Sequence, residues 1–258
     1  FFLDENQPTI LSLYYRAAAL SHICRFISNY HVENGRLPVS IWNKVAFFPG
    51  TFDPFTLSHK GIVRAIRDMG YEVYLAIDEF SWSKNTQPHL VRRQIVSMSV
   101  ADMFHVHLFP DEIPVNIANP SDLARLKAVF PGREVYLVVG SDVIAGASAY
   151  TAPPRENSVH NMNHIVFRRA SQSEREVDHQ RDPKDFITGK VVELELPTHL
   201  EDISSTRIRE NIDLNRDISN LIDPVAQQFI YQRGLYLREP KFKRGLPDRK
   251  FRFRFERS

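Results

Sequence analysis

Cysteine is nearly missing from this sequence: Cys24 is the only one in 258 residues. A single thiol forms neither an intrachain disulfide nor a cysteine-based zinc site. It agrees with a reducing compartment, and a cytoplasmic location is expected. Long apolar runs are missing too. None would span a bilayer, and the pattern of a secretory leader does not occur, so no membrane partner is expected. Charge of one sign is not in excess: 33 Lys and Arg face 31 Asp and Glu, a net charge of +2. That makes no global case for nucleic acid. The G-x-x-x-x-G-K-[ST] phosphate loop is absent, which argues against a P-loop ATPase. No Ser/His/Asp arrangement, paired-carboxylate pattern or internal repeat is evident.

What is present is ordinary for a soluble globular protein, with 43% apolar and 25% charged residues. The length suits one large domain, or one domain with appendages. The chain opens on Phe1-Phe2-Leu3 without an initiator Met, and a processed or excised piece is expected.

The most informative stretch is Lys44–Gly61, KVAFFPGTFDPFTLSHKG. It predicts a buried strand at Val45–Phe48, then a turn through Pro49-Gly50-Thr51 and Phe52-Asp53-Pro54. A helix from about Ser58 to Met69 follows, with Ile62, Val63, Ile66 and Met69 on its apolar stripe. A buried strand feeding a helix through a Gly/Pro turn holds phosphate well, because the helix dipole and its free N–H groups favour an anion. Gly50 allows close approach of the backbone.

Further strands are predicted at Tyr71–Asp78, Val106–Phe109, Val135–Val139, His164–Arg168 and Val191–Leu196. Helices are predicted at about Leu90–Met103, at Asp122–Phe130 and within Leu221–Leu237, the last closed by Gly234. Tyr150 to about Met162 is expected to be loop-like, and Ala170–Lys184 to be a mobile surface insertion. This alternation predicts an α/β fold: a Rossmann-like parallel sheet with helices on both faces. Upstream, residues 8–33 carry the period of an accessory helix. Downstream, Lys241–Ser258 holds eight Lys or Arg, and Phe251, Phe253 and Phe255 alternate with Arg252 and Arg254. A packing strand is preferred there over an RNA-binding patch. The expected domains are 1–43, a helical extension; 44–237, the main domain; and 238–258, a basic tail.

Two more places offer anion chemistry. The loop Glu79–Pro88 follows a strand end, where ligands bind in such sheets, so Lys84 is placed to meet a phosphate. Arg92 and Arg93 lie in the first turn of the next helix, where cations oppose the dipole, which favours an anionic ligand for one of them. The run Asp202-Ile203-Ser204-Ser205-Thr206-Arg207-Ile208-Arg209 puts hydroxyls and N–H groups at another helix start, with Arg209 about one turn on. That makes a second anion cradle, suited to the outer phosphates of a nucleoside triphosphate.

Gly50, Phe52, Asp53, Pro54, Thr56 and His59 resemble the nucleotidyltransferase superfamily signature G-x-F-D-P-x-[HT]-x-G-H. Ser58 stands where the signature has Gly, and a side chain there would narrow the room for a phosphate. Gly140-Ser141-Asp142 is similar to the family's G-[AS]-D element. Ile203 to Arg209 is similar to its I-S-S-T-x-[IL]-R element. The resemblance spans about Lys44–Asn211. It implies transfer of a nucleotidyl group from ATP to a small phosphorylated acceptor, with pyrophosphate leaving and Mg²⁺ bridging the phosphates. On that resemblance His59 donates to the phosphates and Thr56 contacts the α-phosphate or the acceptor phosphate. Lys84 and Arg92 bind the attacking and departing anions. Gly50, Thr51, Phe52 and Asp53 line the nucleotide, Gly140 and Asp142 lie near the ribose or base, and Ile203, Ser204, Ser205, Thr206 and Arg209 hold the outer phosphates.

The overall run looks most like the nicotinate-nucleotide adenylyltransferases of NAD biosynthesis. Thr56 points instead to pantetheine-phosphate adenylyltransferases, and Ala145–Tyr150 replaces an aromatic-containing segment expected after the GSD turn. A cytidylyltransferase, a non-catalytic nucleotide sensor and an RNA-associated module stay open as alternatives. So does a homo-oligomer.

Overall fold

The computed structural model describes residues 42–78, 86–168 and 186–237, together with Glu33. The chain divides into two compact units, Phe1–Ile41 and Trp42–Ser258. The expected helix over 8–33 (Glu33 apart), Lys84 with most of its loop, the insertion at Ala170–Lys184 and the basic tail lie outside the described residues.

Six described strands form one sheet: β1 (Lys44–Gly50), β2 (Tyr71–Ile77), β3 (Val106–Leu108), β4 (Glu134–Gly140), β5 (Asn163–Arg168) and β6 (Val191–Glu195). Every pairing is parallel, in the order β3-β2-β1-β4-β5-β6. Period-two alternation sends Val45 and Phe47 into one core and Ala46 and Phe48 into the other. Both faces of the central strands are therefore buried, which explains their nearly continuous apolar runs.

Helices cover the two faces. The first core is completed by α1 (Leu57–Asp68), α2 (His89–Ser99), α7 (Ser205–Asp213) and α8 (Pro224–Arg233). The second is completed by α3 (Pro120–Val129), α4 (Ser141–Gly146) and α5 (Ser148–Thr151). A four-residue helix, α6 (Thr198–Glu201), precedes α7. No helix among the described residues is long and apolar enough to cross a membrane.

The strand order reverses between β1 and β4. They pair only from Lys44 opposite Glu134 to Phe47 opposite Leu137. Beyond that point β1 stays with β2 as far as Gly50 opposite Ile77, and β4 stays with β5 as far as Gly140 opposite Phe167. The two central strands thus part at their carboxyl ends and open the crevice where ligands bind in doubly wound sheets.

Some elements depart from expectation, among them the unpredicted α4. α2 ends at Ser99 and not at Met103: Val100 leaves the helical conformation at φ −115°, and Asp102 beyond it meets Lys60. The stretch expected to be loop-like holds the end of α5 and a 3₁₀ turn at Val159–Asn161. The short α6 was not foreseen. Gly234 closes α8 as expected, in the left-handed conformation at φ 60°.

Candidate functional site

The site is built outward from the β1–α1 turn. A Cβ at Gly50 would fall 2.6 Å from the ring of Phe52. Gly50 therefore makes room for that ring, which takes the space expected for a ligand. Phe52 has a left-handed φ of 45°, and this folds its ring back over the strand end. There it joins Phe48 and Phe55 around the imidazole of His59, with centroids 6.4, 5.3 and 5.3 Å away for Phe48, Phe52 and Phe55. The three phenylalanine rings pack around the imidazole and limit its rotation.

Thr56 caps α1, and with His59 it forms a reciprocal capping box. The His59 N–H donates to Thr56 Oγ1 at 3.2 Å, and the Thr56 N–H donates to His59 Nδ1 at 3.0 Å. The Thr56 hydroxyl also lies 3.0 Å from Nδ1. A nitrogen that accepts from a backbone N–H carries no proton, so the neutral ring holds its proton on Nε2. Thr56 is buried. Its contacts make it the group that sets the tautomer of His59. Ser58 is buried as well, turned into the protein.

The second motif docks on the first. The Ser205 hydroxyl donates to the Pro54 carbonyl at 2.8 Å across 151 residues of sequence. Arg209 Nη1 donates to the Asp53 carbonyl at 2.6 Å, and its Nη2 donates to Thr206 Oγ1 at 3.1 Å. Ser204 caps α7 by accepting from the Arg207 N–H. The starts of α1 and α7 therefore sit side by side beyond the end of β1, each with its positive dipole end toward the crevice. The Ile203 side chain belongs to the core, so only its backbone is left for a ligand.

Arg92 is buried, and its guanidinium grips backbone. Nε donates to Gln87 O at 2.9 Å, and Nη1 donates to Thr51 O at 2.7 Å and Asp78 O at 3.1 Å. Arg93 donates to Phe109 O and to Asp111 Oδ1. The cations at this helix start are thus balanced by carbonyls and a carboxylate of the protein itself. On the other wall, Gly140 caps α4 and Asp142 lies exposed in its first turn. Phe167 packs on Phe48 at 5.8 Å and closes the gap between that wall and the aromatic box.

The structure thus gathers Gly50, Phe52, Asp53, Thr56, His59, Ser205, Thr206 and Arg209 into one cluster, with Thr51 held from behind by Arg92. Gly140 and Asp142 stand across the crevice. Two further residues enter without sequence warning. Lys60, next to His59, bridges Asp102 at 3.0 Å and Asp223 at 2.9 Å. Tyr236 donates its hydroxyl to Asp53 Oδ1 at 2.7 Å across 183 residues. Only the adjacency of Lys60 to His59 was visible beforehand. Among the described residues no group of three or more His, Cys, Asp or Glu is placed to hold a metal ion.

The sequence model of the cytidylyltransferase-like family matches residues 47–211. A probable nicotinate-nucleotide adenylyltransferase of Bacteroides fragilis is 26% identical, over 74% of this chain and 92% of its own length. One from Pelodictyon phaeoclathratiforme is 28% identical, over 80% of this chain and 97% of its own length. Among solved structures, a Plasmodium falciparum nicotinic acid mononucleotide adenylyltransferase complexed with NaAD shares the fold. It has a TM-score of 0.58 and 18% identity, and the match covers 75% of this chain and 97% of that one.

Proposed function

The chain belongs to the cytidylyltransferase-like family, and from that premise we propose that it transfers the AMP moiety of ATP to nicotinate mononucleotide. An oxygen of the acceptor phosphate forms a bond to the α-phosphorus. The bond from that phosphorus to the bridging oxygen of the β-phosphate breaks, and pyrophosphate leaves with the electron pair. The observation that carries the proposal is the docking of the two motifs, Ser205 on Pro54 and Arg209 on Asp53. That docking joins two helix starts and an arginine, the combination that suits a polyphosphate.

On this reading His59 acts through Nε2–H, donating to the reacting phosphate as charge develops there. Thr56 holds the ring in the donating tautomer. Arg92 supports the turn through Thr51, and the start of α7 with Arg209 meets the β- and γ-phosphates. Positioning and electrostatics suffice; no covalent intermediate on the enzyme is needed. The hydroxyls, imidazole and guanidinium of the site favour anions and leave a cation to the substrate, so Mg²⁺ enters as a companion of the ATP phosphates. The acceptor follows the relatives, which this chain matches over nearly their whole length. A cytoplasmic setting and a transferase domain over 44–237 belong to the same proposal.

The test is a panel of acceptor phosphates with ATP or CTP, read by pyrophosphate release. Release with ATP and nicotinate mononucleotide is expected. Release only with phosphopantetheine, or only with CTP, would overturn the acceptor or the donor. Nucleotide binding without release from any pair would point to a sensor.

A further inference from the structure

Asp53 is nearly buried, and its carbonyl and its Oδ1 are both bonded to the protein. Its carbonyl accepts from Arg209. Its carboxylate Oδ1 accepts from the Gln87 N–H at 3.3 Å and from the Tyr236 hydroxyl at 2.7 Å. One residue thus joins the β1–α1 turn, the segment entering α2, the helix α7 and the chain after α8. Of the two contacts to the carboxylate, the one from Tyr236 is the shorter. Burial, and next the negative charge of Asp53, push the Tyr236 hydroxyl well above the usual tyrosine range, against the pull of Arg209 and Arg92. Tyr236 therefore stays a donor.

Tyr236 is itself held firmly. It sits at φ 66°, two residues beyond the left-handed Gly234 that ends α8. The other end of that helix is tied to the same turn. The Leu221 carbonyl accepts from the Leu57 N–H at the start of α1 at 2.9 Å, and Asp223, the cap of α8, accepts from Lys60. Residues 221–236 thus form a strap that grips the histidine-bearing turn at both ends.

We propose that Tyr236 is a positioning residue of the transferase site: its hydroxyl fixes the Asp53 carboxylate and so holds the 51–54 turn, with His59 behind it, against Gln87 and Arg209. Tyr236 does not touch the substrate; it acts through Asp53. The inference rests on the transferase reading for its kinetic consequence, though not for the bond itself.

Two measurements on the full chain test it, with Tyr231→Phe in the preceding α8 as a control. The first is steady-state kinetics with ATP and nicotinate mononucleotide at a temperature where melting shows each variant fully folded. Tyr236→Phe should lower kcat about tenfold and change KM for ATP by less than about threefold, because the reacting geometry is loosened more than the ground-state contacts. Tyr231→Phe should match wild type. The second is carbon NMR of labelled aspartate carboxyls, with the Asp53 signal assigned by its loss in Asp53→Asn. That signal should move in Tyr236→Phe and stay in Tyr231→Phe. Unchanged kcat in a fully folded Tyr236→Phe, or an unmoved Asp53 signal, overturns the proposal. If wild type releases no pyrophosphate with any acceptor, the transferase reading fails on its own. The Asp53 signal then still decides whether Tyr236 holds this carboxylate.

Discussion

At the residue scale, His59 has its role set by one hydrogen-bond pattern. The backbone N–H of Thr56 occupies Nδ1, so the neutral ring carries its proton on Nε2. His59→Ala should lower turnover by at least ~10²-fold while the protein stays folded, the loss expected for a donor that acts in the transition state. Near-normal turnover in a folded variant would remove His59 from the mechanism. Arg209 bonds Asp53 O and the Thr206 hydroxyl, and on the proposed reading it also meets the outer phosphates. Arg209→Ala should weaken ATP binding by about 1.5–3 kcal/mol, the range for a charge-assisted hydrogen bond, and AMP binding by less. Calorimetric titration with both nucleotides checks this, and equal losses would mean that Arg209 does not meet the outer phosphates.

At the element scale, the β1–α1 turn and the packing of α8 determine whether those residues are in place. A methyl group at Gly50 would press on three atoms of the Phe52 ring at 2.6–3.0 Å. That ring cannot simply swing away, since Phe48, Phe55 and His59 enclose it. Gly50→Ala should cost about 1–3 kcal/mol by overpacking and depress turnover too, as His59 shares the box. Denaturant melts and kinetics on one preparation measure both. A variant like wild type in both would show that the turn tolerates the methyl group. Lys60 ties α1 to the cap of α8 through Asp223, whose side chain is 12% exposed, whereas that of Asp102 is 65% exposed. The bond to Asp102 is therefore screened and worth little, while Lys60→Met strands a nearly buried carboxylate at Asp223. A loss of about 3 kcal/mol is expected. Asp223→Asn in the same chain should recover part of it, because Asn can still cap α8 by accepting from the Val225 N–H. No recovery would place the loss elsewhere.

At the scale of the whole molecule, stability should depend on pH through His164. It is fully buried, donating from Nδ1 to Met162 O at 2.9 Å and paired at Nε2 with the Tyr150 hydroxyl at 2.9 Å. Burial holds its pKa down at about 4, against about 6.5 for an unfolded imidazole. Between those values the unfolded chain binds a proton that the folded chain refuses. This contribution is therefore complete above about pH 6.5 and is lost as pH falls toward 4, to a total of about 3 kcal/mol. Melting at pH 7.5 and pH 5 should differ accordingly, and the difference should shrink in His164→Phe. An equal difference in both proteins would assign it to other groups. The sequence by itself determined the succession of strands and of the longer helices, because burial on both sheet faces writes apolar runs and helical stripes directly into the chain. It also determined the two helix starts of the site, because Thr56 and Ser204 are caps whose partners lie three residues away. Only the tertiary structure decided which polar groups face a ligand and which face the protein. Ser205 and Arg209 turn to carbonyls of the first motif, Arg92 to the ends of β1 and β2, and Tyr236 to a carboxylate 183 residues distant. A buried donor must find an acceptor wherever the packed chain supplies one, and no local spacing records where that will be.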